Sequence, residues 1–506
     1  MTHNEKVADH QSASRAELSE QMQIRLEKRA KLLESGREAY PVGVPVTRTI
    51  ESIREQYDGQ LEADETTGDI VGIAGRVVFV RNTGKLCFAT LQQGNGTRIQ
   101  AMISLAGVGE ELLADWKALV DLGDYVFIHG EVISSRRGEL SVMADEWQMA
   151  SKALRPMPTL HKELNDETRV RQRYLDLMVR QEARDIVVKR AKITQTVRDV
   201  LNKLGYIELE TPMLQLIHGG AAARPFETHL NAFDQKMTLR IATELFLKRA
   251  AVGGLERVYE IGRVFRNEGI DSTHSPEFTT LECYEAYADQ FVMAERMKEI
   301  IMTCADVLGV HQIETEKGTI DLSAEWKWLG VYPGLSEAVG VEITPATDVQ
   351  TLLDIAQKHE VDVNPAWDAE KLVTELFGEI VEPTLLNPTF VYDYPPSAQP
   401  LARPHRSESG LIEAWDLIIG GMERGTAFSE LIDPVIQRER LTEQSRLSAA
   451  GDDEAMQLDE DFLRALEHGA PPMGGIGLGI DRLIMLFTGV GIRETILFPL
   501  MKPEAE

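Results

Sequence analysis

Five short segments between Asp69 and Met149 alternate apolar with polar residues, and they constrain the fold more than any other feature of the sequence. They read VGIAGRVVFVR, KLCFATLQ, TRIQAMISL, DYVFIHGEVIS and ELSVMADEWQMA, with turn sequences such as NTG, QGNG and SRRG between segments. A period of two is typical of strands that bury one face, and gaps rich in Gly and Asn are typical of turns. Five such strands predict a small closed β-barrel.

The rest of the chain divides around this barrel. The strand count favours an OB-fold at residues 69–150, although a barrel without a ligand stays an alternative. Residues 1–68 are predicted to hold a charged helix, RAELSEQMQIRLEKRAKLLESGRE, followed by an extended linker. SKALRPMPTLHKEL predicts a hinge at 151–165. Beyond it, helical patterns such as Arg184–Leu204 alternate with strand-like runs, so residues 166–506 are predicted to form one large α+β domain.

Composition narrows the class of protein. A chain of 506 residues with 43% hydrophobic content can bury more than one core. It has neither a signal-like start nor an apolar run of membrane-spanning length, so a cytoplasmic protein without a membrane span is expected. The three cysteines lack metal-site spacing and are expected to be buried. A net charge of −28 disfavours nucleic-acid binding except at local patches. One such patch, RVRQRYLDLMVRQEARDIVVKRAK, could equally be a solvated helix face.

Two carboxylates interrupt the otherwise small and apolar stretch GGMERGTAFSEL. Glu423 and Glu430 are seven positions apart. If the stretch is a strand, an odd spacing places them on opposite faces. The two acids are therefore expected to serve different purposes.

Three further segments carry a resemblance to a known family. They are GYIELETPML (205–214), VFRNEGIDSTHSPEFTTLECYEAY (264–287), which is expected to hold Arg, Glu, His and Phe in one loop, and GGIGLGIDRL (474–483). Their order and separation resemble motifs 1, 2 and 3 of class II aminoacyl-tRNA synthetases. GGAAARPFETH (219–229), with the barrel ahead of it, resembles the lysyl branch. The resemblance implies a catalytic domain on an antiparallel sheet with flanking helices, and ligation of L-lysine to tRNA(Lys) through a lysyl-adenylate.

Amino-acid activation brings a carboxylate to the α-phosphate of ATP, and an arginine fork can hold both anions. The resemblance assigns this task to Arg266. It also implies that adenine lies between Phe278 and the second catalytic arginine, Arg482. Glu268 would accept a hydrogen bond from the adenine amino group. His274 would face the terminal phosphates. The alternatives are a structural ion pair between Arg266 and Glu268, and a plain surface role for His274. The glycines before Arg482 are expected to allow close backbone packing beneath the ligand.

A buried lysine ammonium needs its charge and its three donors satisfied. The resemblance gives the ε-ammonium to Glu282, Tyr284 and Glu430, and the first two share a strand face. The whole lysine-binding set that it implies is Gly220, Glu244, Arg266, Glu282, Tyr284, Thr426 and Glu430. One departure stands out: Thr426-Ala427 replaces an Asn-Gly that is common in bacterial relatives, which puts the grip on the lysine carboxylate in question. Carboxylates paired with arginines are the alternative for Glu282 and Glu430.

The remaining expectations concern metal and partners. The resemblance places Mg²⁺ at Asp416 and Glu423, as an escort for ATP. It places the anticodon at Phe88, Gln100 and Glu139 of the barrel, by stacking and base-edge hydrogen bonds. It also implies a homodimer, with the segment around Pro212 at the interface.

Two other functions stay open. A paralogue could activate lysine, or an analogue, for an acceptor other than tRNA, and a non-catalytic relative could bind RNA or regulate. The first is motivated by Thr426 and Ala427. The second is disfavoured by the retention of the arginines and carboxylates just named.

Overall fold

The computed structural model describes residues 20–158, 164–364, 367–449, 451 and 454–502. The chain divides into two compact units, one ending at Arg184 and the other beginning at Asp185. Part of the predicted N-terminal helix (15–19) and part of the predicted hinge (159–163) lie outside the described residues. No helix in the described part of the chain is both long and apolar enough to cross a membrane.

The first unit is built around the predicted five-stranded barrel, which is confirmed as a closed ring in the order β1-β2-β3-β5-β4. Its strands are β1 (Thr66–Thr83), β2 (Leu86–Gln92), β3 (Arg98–Ser104), β4 (Tyr125–Ser134) and β5 (Leu140–Ser151). Its helices are α1 (Glu20–Glu34), α2 (Ile50–Tyr57), α3 (Leu105–Leu119), α4 (Asp166–Arg171) and α5 (Arg173–Val179).

Two of these helices correct the sequence prediction. The stretch expected to be an extended linker contains α2, because Thr49 caps its first turn by accepting a hydrogen bond from the amide of Ser52. Likewise, Ser104 accepts from the amide of Gly107 and starts α3 between β3 and β4. From α3, Trp116 packs edge-to-face on Trp147 of β5 at 5.3 Å between ring centroids. Both helices thus cover the barrel core.

The second unit contains many more elements, beginning with α6 (Gln181–Lys203), which starts just before the unit boundary. Its other helices are α7 (Glu244–Val252), α8 (Gln290–Leu308), α9 (Val331–Val339), α10 (Val349–Lys358), α11 (Ala369–Ile380), α12 (Pro434–Ala449), α13 (Glu460–Glu467), α14 (Ile480–Thr488) and α15 (Ile492–Thr495). Single 3₁₀ turns occupy Asn231–Phe233, Glu382–Thr384 and Pro396–Ala398.

The strands of this unit are β6 (Ile207–Glu208), β7 (Leu214–Gln215), β8 (Glu227–Leu230), β9 (Gln235–Leu239), β10 (Arg257–Phe265), β11 (Glu277–Ala286), β12 (Gln312–Thr315), β13 (Gly318–Asp321), β14 (Lys327–Gly330), β15 (Thr389–Tyr392), β16 (Ala414–Ile418), β17 (Glu423–Ser429) and β18 (Met473–Gly479). Eight of them form the central sheet, in the order β14-β15-β16-β17-β18-β11-β10-β6.

The central sheet confirms the predicted α+β architecture. Its pairs are antiparallel except at the two ends, where β14 joins β15 and β6 joins β10 in parallel. One face is covered by α6, α8 and α14, whose apolar side chains share the largest core with the inner strands. Asp289 caps the start of α8, and Gly309, at φ 68°, ends it. Cys283 and Cys304 lie in this core and Cys87 in the barrel, buried as expected.

Candidate active site

One cavity of about 390 Å³ lies at the central sheet of the second unit. The structure brings together around it every residue that the sequence assigned to ATP, lysine or metal: Gly220, Glu244, Arg266, Glu268, His274, Phe278, Glu282, Tyr284, Asp416, Glu423, Thr426, Glu430 and Arg482. Strands β11, β17 and β18 are adjacent in the sheet, which is how residues so distant in sequence converge. Their individual roles remain predictions.

The second motif forms a long hairpin of β10 and β11, joined by residues 266–276. Phe278 is therefore on a strand and not in the loop with Arg266, which corrects the expectation that all four motif residues share one loop. Across the base of the hairpin, the guanidinium carbon of Arg266 lies 5.2 Å from the centroid of the Phe278 ring, a cation–π distance. The hairpin thus fixes a cation and a flat aromatic surface side by side.

Arg266 keeps its charge available. Burial lowers the pKa of its guanidinium, while the nearby carboxylates, Glu268 first among them, act to raise it. Within the described residues it forms no ion pair, and its one hydrogen bond goes from Nε to the carbonyl oxygen of Ile241, at 3.4 Å. The alternative of a structural ion pair with Glu268 is therefore not supported. A half-buried guanidinium without an anion can accept one from a ligand.

His274 lies in the hairpin loop with its ring half exposed. Its Nδ1 is 2.9 Å from Oδ2 of Asp271, so the second ring nitrogen is the one left to face a ligand. Asp271 also accepts from the amides of Thr273 and His274, and these hydrogen bonds hold the pKa of its carboxyl well below its usual range. The loop histidine is thus oriented by an anion, although it stays on the surface.

The acidic end of the cavity is buried. On β11, Tyr284 donates its hydroxyl to Oε2 of Glu282 at 3.2 Å, and the amide of Thr243 donates to Oε1 at 3.0 Å. Burial and the nearby Glu244 raise the pKa of Glu282 to about 7. No arginine in the part of the chain that the structure describes pairs with Glu282, contrary to the alternative considered from sequence. Carboxylates that share one buried pocket repel each other unless cations offset their charge.

Glu430 completes this end, and it is only 3% exposed. Burial raises its pKa to about 8, although Lys248 acts in the opposite direction. Lys248 was not predicted from the sequence. Its Nζ lies 2.5 Å from Oε2 of Glu430 and 2.6 Å from Oε1 of Glu244. Lys248 thus satisfies Oε2 of Glu430, whereas Oε1 of Glu430 has no hydrogen-bond partner among the described residues. Because a buried carboxylate oxygen without a donor is unfavourable, Oε1 is suited to an incoming ammonium.

Glu423 and Glu430 do not lie on opposite sides of the sheet, as their odd spacing predicted; both line the cavity. The reason is a β-bulge in β17. Leu417 pairs with Gly425, whereas the next residue of β16, Ile418, pairs with Glu423, so Arg424 is an extra residue. An inserted residue shifts the side-chain alternation by one, and Glu423 thereby joins the face that carries Glu430.

The other end of the cavity holds the predicted metal carboxylates. Burial, followed by repulsion from Glu423, raises the pKa of Asp416 to about 7. Glu423 Oε2 lies 3.2 Å from Nη1 of Arg482. Its backbone amide donates to Glu382, a half-buried carboxylate that the sequence did not indicate, at 3.1 Å. No group of three or more His, Cys, Asp or Glu among the described residues has a geometry that would hold a metal alone. The pair does fit Mg²⁺ that arrives with phosphates, because two hard oxygen donors lie in one part of the cavity and repel each other.

Two small residues shape the cavity wall. Gly220 has φ 89°, and a Cβ there would lie 3.1 Å from Cβ of Glu244, so both conformation and space favour glycine. Thr426 directs its hydroxyl to the carbonyl oxygen of Trp415 at 3.3 Å. This use of its only donor leaves little for a substrate carboxylate.

The barrel residues predicted to meet the anticodon lie on neighbouring strands of the first unit. Phe88 of β2 is half-buried beneath the guanidinium of Arg81, at 4.6 Å from the ring centroid. Gln100 of β3 donates to the hydroxyl of Ser141 at 2.9 Å. Glu139, beside β5, lies 3.3 Å from Nη2 of Arg54. Arg81 was not predicted, and it gives this surface a cation stacked on an aromatic ring.

Comparison with known proteins agrees with this architecture. Residues 165–502 match the family of class II tRNA synthetases (D, K and N), and residues 71–150 match the OB-fold nucleic acid binding domain. The fold and the cavity therefore define a class II aminoacyl-tRNA synthetase that carries an OB-fold domain.

Comparison with individual relatives identifies the branch of this family to which the chain belongs. The lysine–tRNA ligases of Mycolicibacterium gilvum and Kineococcus radiotolerans are 57% and 55% identical over 96% of this chain and 98% of theirs. A lysylphosphatidylglycerol biosynthesis bifunctional protein, LysX, of Mycobacterium marinum is 45% identical over 98% of this chain but only 45% of its own length. The chain belongs to the lysine–tRNA ligase family.

Proposed function

We propose that the protein activates L-lysine with ATP and transfers the lysyl group to tRNA(Lys). The observation that carries this proposal is the buried Oε1 oxygen of Glu430, which has no hydrogen-bond donor among the described residues and lines the same cavity as two arginines. Lys248 pairs only with the other oxygen, Oε2. A neutral amino acid would leave Oε1 unsatisfied, which supports discrimination on the order of ten-thousandfold. Lysine brings an ammonium for this oxygen.

In the first step, the lysine carboxylate attacks the α-phosphate of ATP and pyrophosphate leaves. Arg266 would hold both anions and offset the charge that builds up between them, and the lack of an ion pair between Arg266 and any described residue supports that role. Phe278 and Arg482 would hold adenine by stacking and cation–π contact. Glu268 would accept from the adenine amino group, and His274, oriented by Asp271, would face the terminal phosphates.

The substrate lysine would lie along β11. Glu282, Tyr284 and Glu430 would surround its ε-ammonium, while Glu244 and the backbone at Gly220 would hold the α-amino group. Because the cavity joins the two ends, an amino acid held in this way directs its carboxylate toward Arg266. Thr426 would contribute little to holding that carboxylate.

Asp416 and Glu423 would hold Mg²⁺. The metal would supply positive charge that offsets the negative charge of the ATP phosphates. The mutual repulsion of the two carboxylates in its absence supports this assignment.

In the second step, a hydroxyl of the terminal ribose of the tRNA attacks the lysyl carbonyl of the adenylate, so that the ester forms, AMP leaves and the hydroxyl proton is released. Phe88, Gln100 and Glu139, now joined by Arg81, would meet the anticodon on the barrel. We also propose a cytoplasmic homodimer. Apolar side chains that flank Pro212 support the dimer, since Met213, Leu214 and Leu216 are about half exposed or more. Sedimentation at micromolar concentration tests it, and a strict monomer would refute it.

The test of the activity is lysine-dependent exchange of labelled pyrophosphate into ATP, run in parallel with ornithine and arginine. We expect exchange with lysine to exceed that with either analogue, because only lysine has the length to place its ammonium at Glu430 while its carboxylate meets Arg266. Absence of exchange at saturating lysine would refute the proposal. Charging of a tRNA(Lys) transcript then separates this function from activation of lysine for another acceptor.

A further inference from the structure

Lys248 belongs to the acidic pocket without lining the cavity. It lies on α7, one turn beyond Glu244, and its side chain is 1% exposed. Its Nζ contacts Glu244 on its own helix and Glu430 at the end of β17. The ring of Tyr284 on β11 faces it at 5.8 Å, with Glu282 further along the same strand. The Lys248 ammonium, which a substrate cannot reach, thus lies behind the carboxylates that are proposed to bind the ammonium groups of the substrate.

The charge of this lysine is secured by its surroundings. Burial opposes it, but Glu244 and Glu430 together raise the pKa of Lys248 above its ordinary value. The pocket therefore contains a permanent cation beside three carboxylates. With all three ionised, the net charge of the group is two negative charges, and lysine carries two ammonium groups. Without Lys248 the three ionised carboxylates would carry one negative charge more than the two ammonium groups of lysine can balance.

The geometry has a second consequence. Lys248 approaches Oε1 of Glu244 and Oε2 of Glu430, so one oxygen of each carboxylate stays free for a ligand. Two buried carboxylates bridged by one ammonium cannot turn independently, and their free oxygens keep a fixed separation.

We propose that Lys248 is a positioning and specificity-determining residue: it holds Glu244 and Glu430 from behind and adjusts the pocket to a substrate with two ammonium groups. This inference rests on the proposed assignment of the pocket to lysine. It differs from that assignment because Lys248 does not touch the substrate.

The test uses the full-length enzyme with Lys248→Met and Lys248→Gln, which remove the charge, and Lys248→Arg, which keeps it. The control is Lys371→Met, because Lys371 pairs with Glu375 one helical turn away at 2.6 Å, but at the surface. Lysine-dependent pyrophosphate exchange is measured from pH 6.5 to 8.5. For the neutral variants we expect the KM for lysine to rise about tenfold or more at pH 7.5, with kcat within about threefold and the KM for ATP within about twofold.

The pH profile separates charge from simple packing. Lys248 acts to lower the pKa of Glu430, so the neutral variants should bind lysine well only about one pH unit higher than the wild type. Lys248→Arg and Lys371→Met should keep the wild-type midpoint. A folded neutral variant with the wild-type KM for lysine and the wild-type midpoint would overturn the inference.

Stability gives a readout that does not need activity. Unfolding in urea is followed at pH 6.0 and 8.5 for the same variants. Because the carboxylates are more ionised at pH 8.5, loss of Lys248 should destabilise the protein more there than at pH 6.0. An equal loss, or failure to fold at both pH values, would overturn the charge role. If the wild type itself shows no lysine-dependent exchange, the proposed function fails instead.

Discussion

Gly475 on β18 offers the sharpest test of the pocket. It pairs with Tyr284 on one side and Phe428 on the other, and its α-carbon faces the acidic end of the cavity. A Cβ at this position would lie 2.1 Å from Oε1 of Glu430 and 2.5 Å from Cε1 of Tyr284. The sequence predicted close packing at the glycines before Arg482, and the structure identifies what packs against this one.

We expect Gly475→Ala to impair lysine binding and little else. To reach even 3.0 Å from the new methyl group, the Glu430 oxygen must move by about 0.9 Å, while Lys248 holds the same carboxylate from behind. Since a misplacement of about 1 Å in a binding group can reduce catalysis about a hundredfold, the KM for lysine should rise by about that factor. The KM for ATP should stay within about threefold, because the arginines are unaffected.

The assay is pyrophosphate exchange at varied lysine and fixed saturating ATP, and then at varied ATP and fixed saturating lysine. Gly477→Ala is the matched control, because it adds the same methyl group two residues along the same strand face. Its Cβ would lie 3.4 Å from Cγ2 of Thr426, which is close to an ordinary contact, so the KM for lysine should change by less than about threefold. A Gly475→Ala enzyme that folds and keeps the wild-type KM for lysine would refute the assignment of Glu430.

Three further predictions concern the same cavity. The KM for lysine should rise roughly twentyfold from pH 8.5 to 6.5, because the pKa of Glu430 is raised to about 8 and protonation removes its attraction for ammonium; a flat profile in exchange assays would contradict this. Asp416→Asn should raise the Mg²⁺ concentration for half-maximal exchange about tenfold, because one hard donor is lost, and an unchanged titration would exclude that carboxylate as a ligand. Thr426→Asn should lower the KM for lysine or leave it unchanged, since the threonine donor is already used by Trp415; a large rise would show that the carboxylate is held by another route.

Much of the fold could be predicted because its signals are local. The five barrel strands alternate in sequence as they do in the structure, and the predicted helix at Arg184–Leu204 forms at Gln181–Lys203. The set of cavity residues also followed from ordered motifs, because each motif is a continuous segment of the sheet or of its connecting loop. The helix α2 was missed because its start depends on a single capping threonine.

The face of the sheet to which each strand residue points was less predictable from the sequence. The bulge at Arg424 depends on how β17 pairs with β16, and a pairing register is a property of two segments that no single segment contains. Lys248 was missed for a related reason. A lysine four residues after a glutamate is usually a surface pair on a helix, and only tertiary packing against Glu430 buries it.

The unsatisfied groups of the cavity argue for specificity more strongly than its shape does. Among the described residues, the half-buried Arg266 has no anion and the buried Oε1 of Glu430 has no donor, and the two groups line one cavity without pairing with each other. Their separation therefore selects a ligand with an anion at one end and a cation at the other. A neutral amino acid would satisfy Arg266 alone and leave Oε1 of Glu430 buried without a donor, so the pocket rejects that amino acid through the group that it fails to pair.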